Sequence, residues 1–169
     1  LGLTLFMVGL AACSGTVGPA ETTTIRIAAL PVLDTLPIFV AEKEGLFDQH
    51  NVLVEVIPAG SAPKRDELIS SGQADGMVNE VMSTIFYNRE ETRVQVVRYA
   101  RTASANSPVF FILASGGSDI TSVEQLKSVE IGVSKGTIIE YLVDRILQAE
   151  GFSDTEINTI AVPDIGQRM

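Results

Sequence analysis

Small polar residues recur where short apolar runs of this chain end. Leu33-Asp34-Thr35, Gly60-Ser61, Asn79-Glu80 and Ser134-Lys135-Gly136-Thr137 each follow a run rich in aliphatic residues and precede an amphipathic stretch. Residues of these types hold a ligand by hydrogen bonds: hydroxyls and a side-chain amide donate and accept, and carboxylates accept. The same residues also cap helices, the commonest duty of Asp, Ser and Thr at such turns. Covalent chemistry is harder to assemble from this sequence. A hydrolytic nucleophile needs a base and an orienting acid within reach. The single histidine, His50, falls in a turn before a strand rather than after one. No GxSxG elbow, no His/Cys set at metal-ligand spacing and no GxxxxGK[ST] loop is present. Binding without catalysis is expected, with no catalytic residue, metal or cofactor.

The elements that must position these turns alternate strand with helix, the pattern of βα units and a largely parallel sheet. A first strand is expected over 25–30, stopped by Pro31, and a helix from Leu36 with Leu36, Phe39, Val40 and Phe47 on one side. Gly45 ends its main body. A second strand covers 52–57, and a second helix covers 62–71 with Gly72 at its left-handed cap. A short strand over 76–79 and a helix over 80–88 make a third unit. Strands are also expected over 94–99 and 109–114, joined by the polar turn 102–107. Beyond Gly116-Gly117 a new unit begins. Thr121-Ser122-Val123-Glu124 and Thr137-Ile138-Ile139-Glu140 both read as capping boxes. Between them lies a strand over 129–133. After the second box comes a helix with Ile138, Leu142, Ile146 and Ala149 at helical spacing, ended by Gly151, and then a strand over 157–162. The expected class is α/β, with one nearly complete lobe over 25–114 and the start of a second, incomplete one over 115–169. In open sheets of this kind ligands bind outside the carboxyl ends of the strands. Helix N-termini begin there and offer free N–H groups with a partial positive charge.

The chain carries a net charge of −9 with its 12 basic residues scattered. Nucleic-acid binding needs a concentrated basic face, so that class is excluded, and an acidic surface suits a secreted protein. Residues 1–12, LGLTLFMVGLAA, form an apolar run shorter than the roughly 20 residues a membrane span needs. The run matches the apolar centre and small residues of a secretory signal. The basic start of such a signal is missing, since the first Lys or Arg is Arg26, so a clipped N-terminus is expected. Cys13, the only cysteine, ends Leu10-Ala11-Ala12-Cys13, which resembles the bacterial lipoprotein signal, and residues 14–24 form a polar linker. That resemblance implies acylation of Cys13 and a lipid-anchored, extracytoplasmic protein. The plainer alternative is a small apolar residue placed there by chance.

Three further segments carry a resemblance to a family: IRIAALPVLDTLPIFVAEKEGLFDQHNVLVEVI, GSAPKRDELISSGQADGMVNE and ITSVEQLKSVEIGVSKGTIIEYLVDRILQAEGF. In order and spacing they resemble the periplasmic solute-binding proteins of ABC importers for sulfonates, nitrate, taurine and thiamine-pyrimidine precursors. The resemblance implies a periplasmic-binding-protein-like fold of two lobes joined by a hinge, the second lobe truncated here. It implies a monomer that traps a small-molecule solute between the lobes and delivers it to a membrane permease. Candidate ligand-binding residues are then Leu33, Asp34, Thr35, Ser61, Asn79, Glu80, Ser134, Gly136 and Thr137, the last group because the family places 134–137 at the cleft. The charges leave the solute open. Asp34 and Glu80 favour a cationic or hydroxyl-rich molecule, whereas Arg101 and Lys135 are suited to an anion. A secreted enzyme on the same fold is the alternative. A cytoplasmic regulator would carry a DNA-binding module before residue 25, where the apolar run stands instead.

Overall fold

The computed structural model describes residues 22–169. Cys13, the apolar run before it and most of the linker lie outside the described residues. Strand β1 (Thr23–Ala29) is central in a three-stranded sheet of order β2-β1-β3. It pairs in parallel with β2 (Val52–Pro58) from Thr23 opposite Val52 to Ala29 opposite Pro58. On its other edge it pairs, also in parallel, with β3 (Gly76–Met77). Parallel neighbours require a crossover. The crossovers are helices α1 (Leu36–Lys43) and α2 (Leu46–Gln49) between β1 and β2, and α3 (Ala62–Ser70) between β2 and β3. Helix α4 (Val81–Tyr87) follows β3. The second sheet is a parallel pair, β4 (Glu130–Val133) with β5 (Asn158–Ala161), bridged by α5 (Ile138–Ala149) and followed by α6 (Ile165–Arg168).

Each sheet has its own core. Ala28, Ala59, Leu68 and Ala74 form the first, with Leu30, Ile57, Ile69 and Met77 packed around them. Small residues at 28 and 59 let α3 lie close to the strands. The second core is Val133, Val143, Leu147 and Phe152, flanked by Ile112, Leu126, Ile131, Ile139 and Ile157. The stripe of α5 that faces it is therefore Ile139, Val143 and Leu147, one residue on from the expected row of 138, 142, 146 and 149; Ile146 stands 37% exposed.

Four other expectations are corrected. Residues 94–99 and 109–114 lie in no sheet, and only an isolated Ser104–Ser107 bridge closes the turn between them. A strand needs a partner's N–H and C=O within reach, and among the described residues none lines up with these runs. Ile112 alone of them packs against the second core, and several of their apolar side chains stay in solvent, Val97 at 92% and Leu113 at 69% exposure. The α1 stripe of Leu36, Phe39 and Val40 is likewise about half exposed, because no described element lies over it. Residues 123–126 form a 3-10 turn whose box is set one residue later than expected. Gln125 Oε1, not Glu124, accepts the N–H groups of Thr121 and Ser122 at 2.7 and 2.9 Å. In the second box, Glu140 reaches back to the N–H of Gly136 rather than Thr137, at 2.8 Å.

The edge of the first sheet is tied by an ion pair. Arg26 in β1 donates from its backbone N and from Nε to Asp75 Oδ2, both at 2.9 Å, and from Nη2 to Oδ1 at 2.6 Å. These hydrogen bonds, the side-chain ones foremost, hold the Asp75 carboxyl at about 2 against an ordinary 3.8. Lys127, with the N–H and hydroxyl of Ser153, holds Glu156 at about 2 in the same way. A carboxyl depressed by folding contributes stability that is complete above its ordinary value and is lost as pH falls through the folded one. Urea midpoints measured from neutral pH downward should therefore drop between about 4 and about 2. Asp75→Asn is expected to flatten part of that drop, and Asp75→Asn with Glu156→Gln most of it.

Candidate functional site

Because every strand pairing is parallel, all strand-to-helix turns of one sheet lie at one end of it. For the first sheet these are 30–35, 59–61 and 78–80; for the second, 134–137 and 162–164. In the first turn Leu33–Thr35 form a 3-10 turn. Leu33 is 76% exposed, whereas Thr35 is 2% exposed and its hydroxyl meets the carbonyls of Val32 and Leu30 at 2.6 and 3.1 Å. Thr35 thus shapes the turn from within. Pro31, Val32, Leu33, Thr35, Leu36 and Phe39 line an open hollow of about 300 Å³ beside it. Asp34 meets Arg101, which arrives from the unpaired segment after 94, with Nε 2.9 Å from Oδ1. The contact is close enough for an ion pair, but the N–H is not aimed at the oxygen, and Asp34 Oδ1 is buried without a proper hydrogen bond.

Ser61 caps α3 by accepting from Lys64 N at 3.3 Å. Glu80 caps α4: its carboxylate accepts from Met82 N at 2.7 Å and from Ser83 N at 3.1 Å, and the Ser83 hydroxyl donates to it as well. Glu80 therefore has a structural duty as a helix cap. Behind it stands a buried charge that the sequence did not advertise. Arg65 is 2% exposed, pairs with Asp66 at 2.7 Å, and donates from Nη2 to the Ser83 hydroxyl at 3.3 Å. Tyr87 fastens the far end of α4 to the Asp66 carbonyl at 2.7 Å. The chain Asp66–Arg65–Ser83–Glu80 fixes the turn after β3 against α3. Asn79, at the head of that turn, differs from all of these, since both its Nδ2 and Oδ1 are buried with no partner.

At the second sheet, Thr137 caps α5 by accepting from Ile139 N at 3.2 Å and donates its hydroxyl to the Ser134 carbonyl at 2.7 Å. Gly136 sits at φ +71°, and a Cβ added there would meet nothing within 4 Å, so backbone shape rather than space requires glycine. Lys135 pairs with Glu140 at 2.8 Å. The Gly136 N–H, and after it Lys135, lower the Glu140 carboxyl below the usual range. Ser134 is 1% exposed and its Oγ has no partner.

The two sets of strand ends touch. Ile165 N donates to the Gly60 carbonyl at 3.0 Å, joining the turn after β2 to that after β5. A Cβ on Gly60 would come within 2.9 Å of Asp164 Oδ2. Asp164, which also caps α6 through Gln167 N at 3.0 Å, is absent from the expected site. Its signal was present: Asp164-Ile165-Gly166-Gln167 has the spacing of a capping box directly after a strand.

The family described as NMT1/THI5 like matches residues 33–167. The chain belongs to that family. Within the NMT1/THI5-like chain, the matched segment includes every strand-end turn described above except the first three residues of the 30–35 turn. No match was found among curated proteins. Among solved structures the chain is similar to the alkanesulfonate-binding protein SsuA from Xanthomonas axonopodis pv. citri bound to MOPS. The TM-score is 0.59 at 17% identity, over 89% of this chain and 51% of that one. That likeness shows a periplasmic-binding-protein fold, of which this chain spans about half the length.

The two kinds of polar group at the β3 turn respond differently to removal. Ser83→Ala breaks a buried connection and is expected to lower unfolding free energy by about 1–3 kcal/mol. Asn79→Leu breaks no hydrogen bond and removes unpaired buried atoms, so the urea midpoint is expected to stay level or rise. A drop of Ser83→Ala size in Asn79→Leu would show a partner for the amide.

Proposed function

We propose that this chain is part of an extracytoplasmic solute-binding lipoprotein of an ABC importer, which captures a small organic molecule between two α/β lobes and passes it to a membrane permease. One observation supports the reading: the Gly60–Ile165 contact joins a strand-end turn of one sheet to a strand-end turn of the other. Ligands of such sheets bind beyond strand carboxyl ends, and two facing sets of ends give a clamp that closes on what lies between. The NMT1/THI5-like family and the likeness to a protein described as alkanesulfonate-binding and bound to MOPS support capture rather than turnover. In this reading the lobes are 25–114 and 115–169. The site draws on Leu33, Asp34, Thr35, Ser61, Asn79, Glu80, Ser134, Gly136 and Thr137. The protein works as a monomer. Among the described residues no helix is long and apolar enough to cross a membrane, and attachment is assigned to a lipid on Cys13.

Thermal unfolding of the purified protein against a broad panel of small solutes tests capture. A true ligand at 100 times its Kd adds about 2.7 kcal/mol, and a panel that leaves the transition unmoved would falsify the proposal. For the anchor, Cys13→Ala is expected to move the protein from the membrane fraction to the soluble one and to abolish incorporation of labelled palmitate. Retention of both in the variant would remove Cys13 from the account.

A further inference from the structure

Most charged side chains at the strand ends are occupied within the chain, and the polar atoms left over there are mostly neutral. Asp34 and Arg101 face each other at 2.9 Å, and Lys135 faces Glu140 at 2.8 Å. Glu80 is taken up by the N–H groups of Met82 and Ser83, and Asp164 accepts from Gln167 N. Asp34 Oδ1 lacks only alignment with its cation, whereas Asn79 Nδ2, Asn79 Oδ1 and Ser134 Oγ have no partner at all. Arg168 Nη1 is also unpaired, but this side chain runs alongside Gly132 within β4, where its Cγ is 3.7 Å from a Cβ placed on that glycine.

Buried polar atoms without partners are few in folded proteins, and each calls for a missing ligand or water. Position agrees. Asn79 follows the outer strand β3, two strand spacings of about 4.8 Å from the β2 turn that carries Gly60. Ser134 follows β4, whose last residue accepts from Val162 N at 2.8 Å, next to the turn that meets Gly60. The two side chains thus belong to the strand-end turns of the two sheets that meet at Gly60, one to each sheet.

We propose that this part of the cleft recognises an uncharged polar group of the solute, of the carboxamide or hydroxyl class, through Asn79 and Ser134; this rests on the solute-capture reading. The chemistry of the donors decides it. A side-chain amide offers two N–H donors and one acceptor oxygen, and a serine hydroxyl offers both functions. A carboxamide or a pair of hydroxyls donates and accepts side by side and completes both. A sulfonate or carboxylate only accepts, leaving Asn79 Oδ1 against oxygen lone pairs, and two of the nearby cations, Arg101 and Lys135, are already engaged by Asp34 and Glu140.

The test is a thermal-shift and calorimetric survey of the whole chain with solutes in matched pairs, such as nicotinamide with nicotinate, lactamide with lactate and methanesulfonamide with methanesulfonate, together with MOPS. The neutral members are expected to supply the binders. Their affinity should change less than about twofold between about 20 and 500 mM NaCl, a range over which screening of exposed charges rises several-fold. Asn79→Ala and Ser134→Ala should each weaken binding about three- to tenfold, the size of one neutral hydrogen bond, without lowering the unfolding temperature of the free protein. Binding by the anionic members or by MOPS, weakened by salt and lost in Arg101→Gln or Arg168→Gln, would overturn the inference while leaving solute capture intact. Silence from both classes would count against capture itself, and this inference would fall with it.

Discussion

Parallel pairing is the constraint on which the rest of this structure depends. A strand that runs beside its parallel neighbour cannot turn straight back, so the chain must cross over before each new strand. Every crossover leaves from the same edge of its sheet. Here that edge collects the β1, β2 and β3 exits on one side and the β4 and β5 exits on the other. The sheets are small, and their cores are separate clusters. What brings polar residues far apart in sequence into one neighbourhood is this shared exit direction, together with the backbone contact at Gly60.

Within that neighbourhood, residues of the same type do different work. Glu80 and Asn79 are adjacent, yet one is saturated by helix N–H groups and the other is bare. Thr137 and Ser134 are three apart, yet the hydroxyl of the first is used twice and that of the second not at all. Caps are where a helix start is completed by its own sequence. The residues just before the caps, at the strand tips, remain free to meet something else. That division separates the groups that shape the turns from buried polar atoms beside them that have no partner.

Much of this was legible in the sequence, and the failures have definite causes. The strand and helix order of 23–87 and 130–161 follows from aliphatic runs punctuated by Pro and Gly, and the caps at Ser61 and Thr137 follow from spacing. In α5 the rows 138-142-146 and 139-143-147 are both apolar, so periodicity names the helix without naming the face that turns inward. The runs 94–99 and 109–114 have the composition of strands, but β-propensity records fitness for a pleated surface and says nothing of whether a partner is present. Arg65 stands in the charged string Lys64-Arg65-Asp66-Glu67, which reads as a solvated helix face. Its burial depends on Ser83, eighteen positions away, and no local pattern carries that pairing.

The unpaired ribbon around the Ser104–Ser107 bridge has a consequence for how the molecule is handled. Its backbone donors and acceptors are not shielded by neighbouring strands, so opening it breaks no ladder beyond the isolated bridge and few contacts besides the Asp34–Arg101 pair, and such stretches open at low free-energy cost. Proteases select such stretches. Arg98 and Arg101 lie on the ribbon beside exposed Val97 and Tyr99. A trypsin-like contaminant would accordingly nick the chain between its two sheets long before either sheet unravelled.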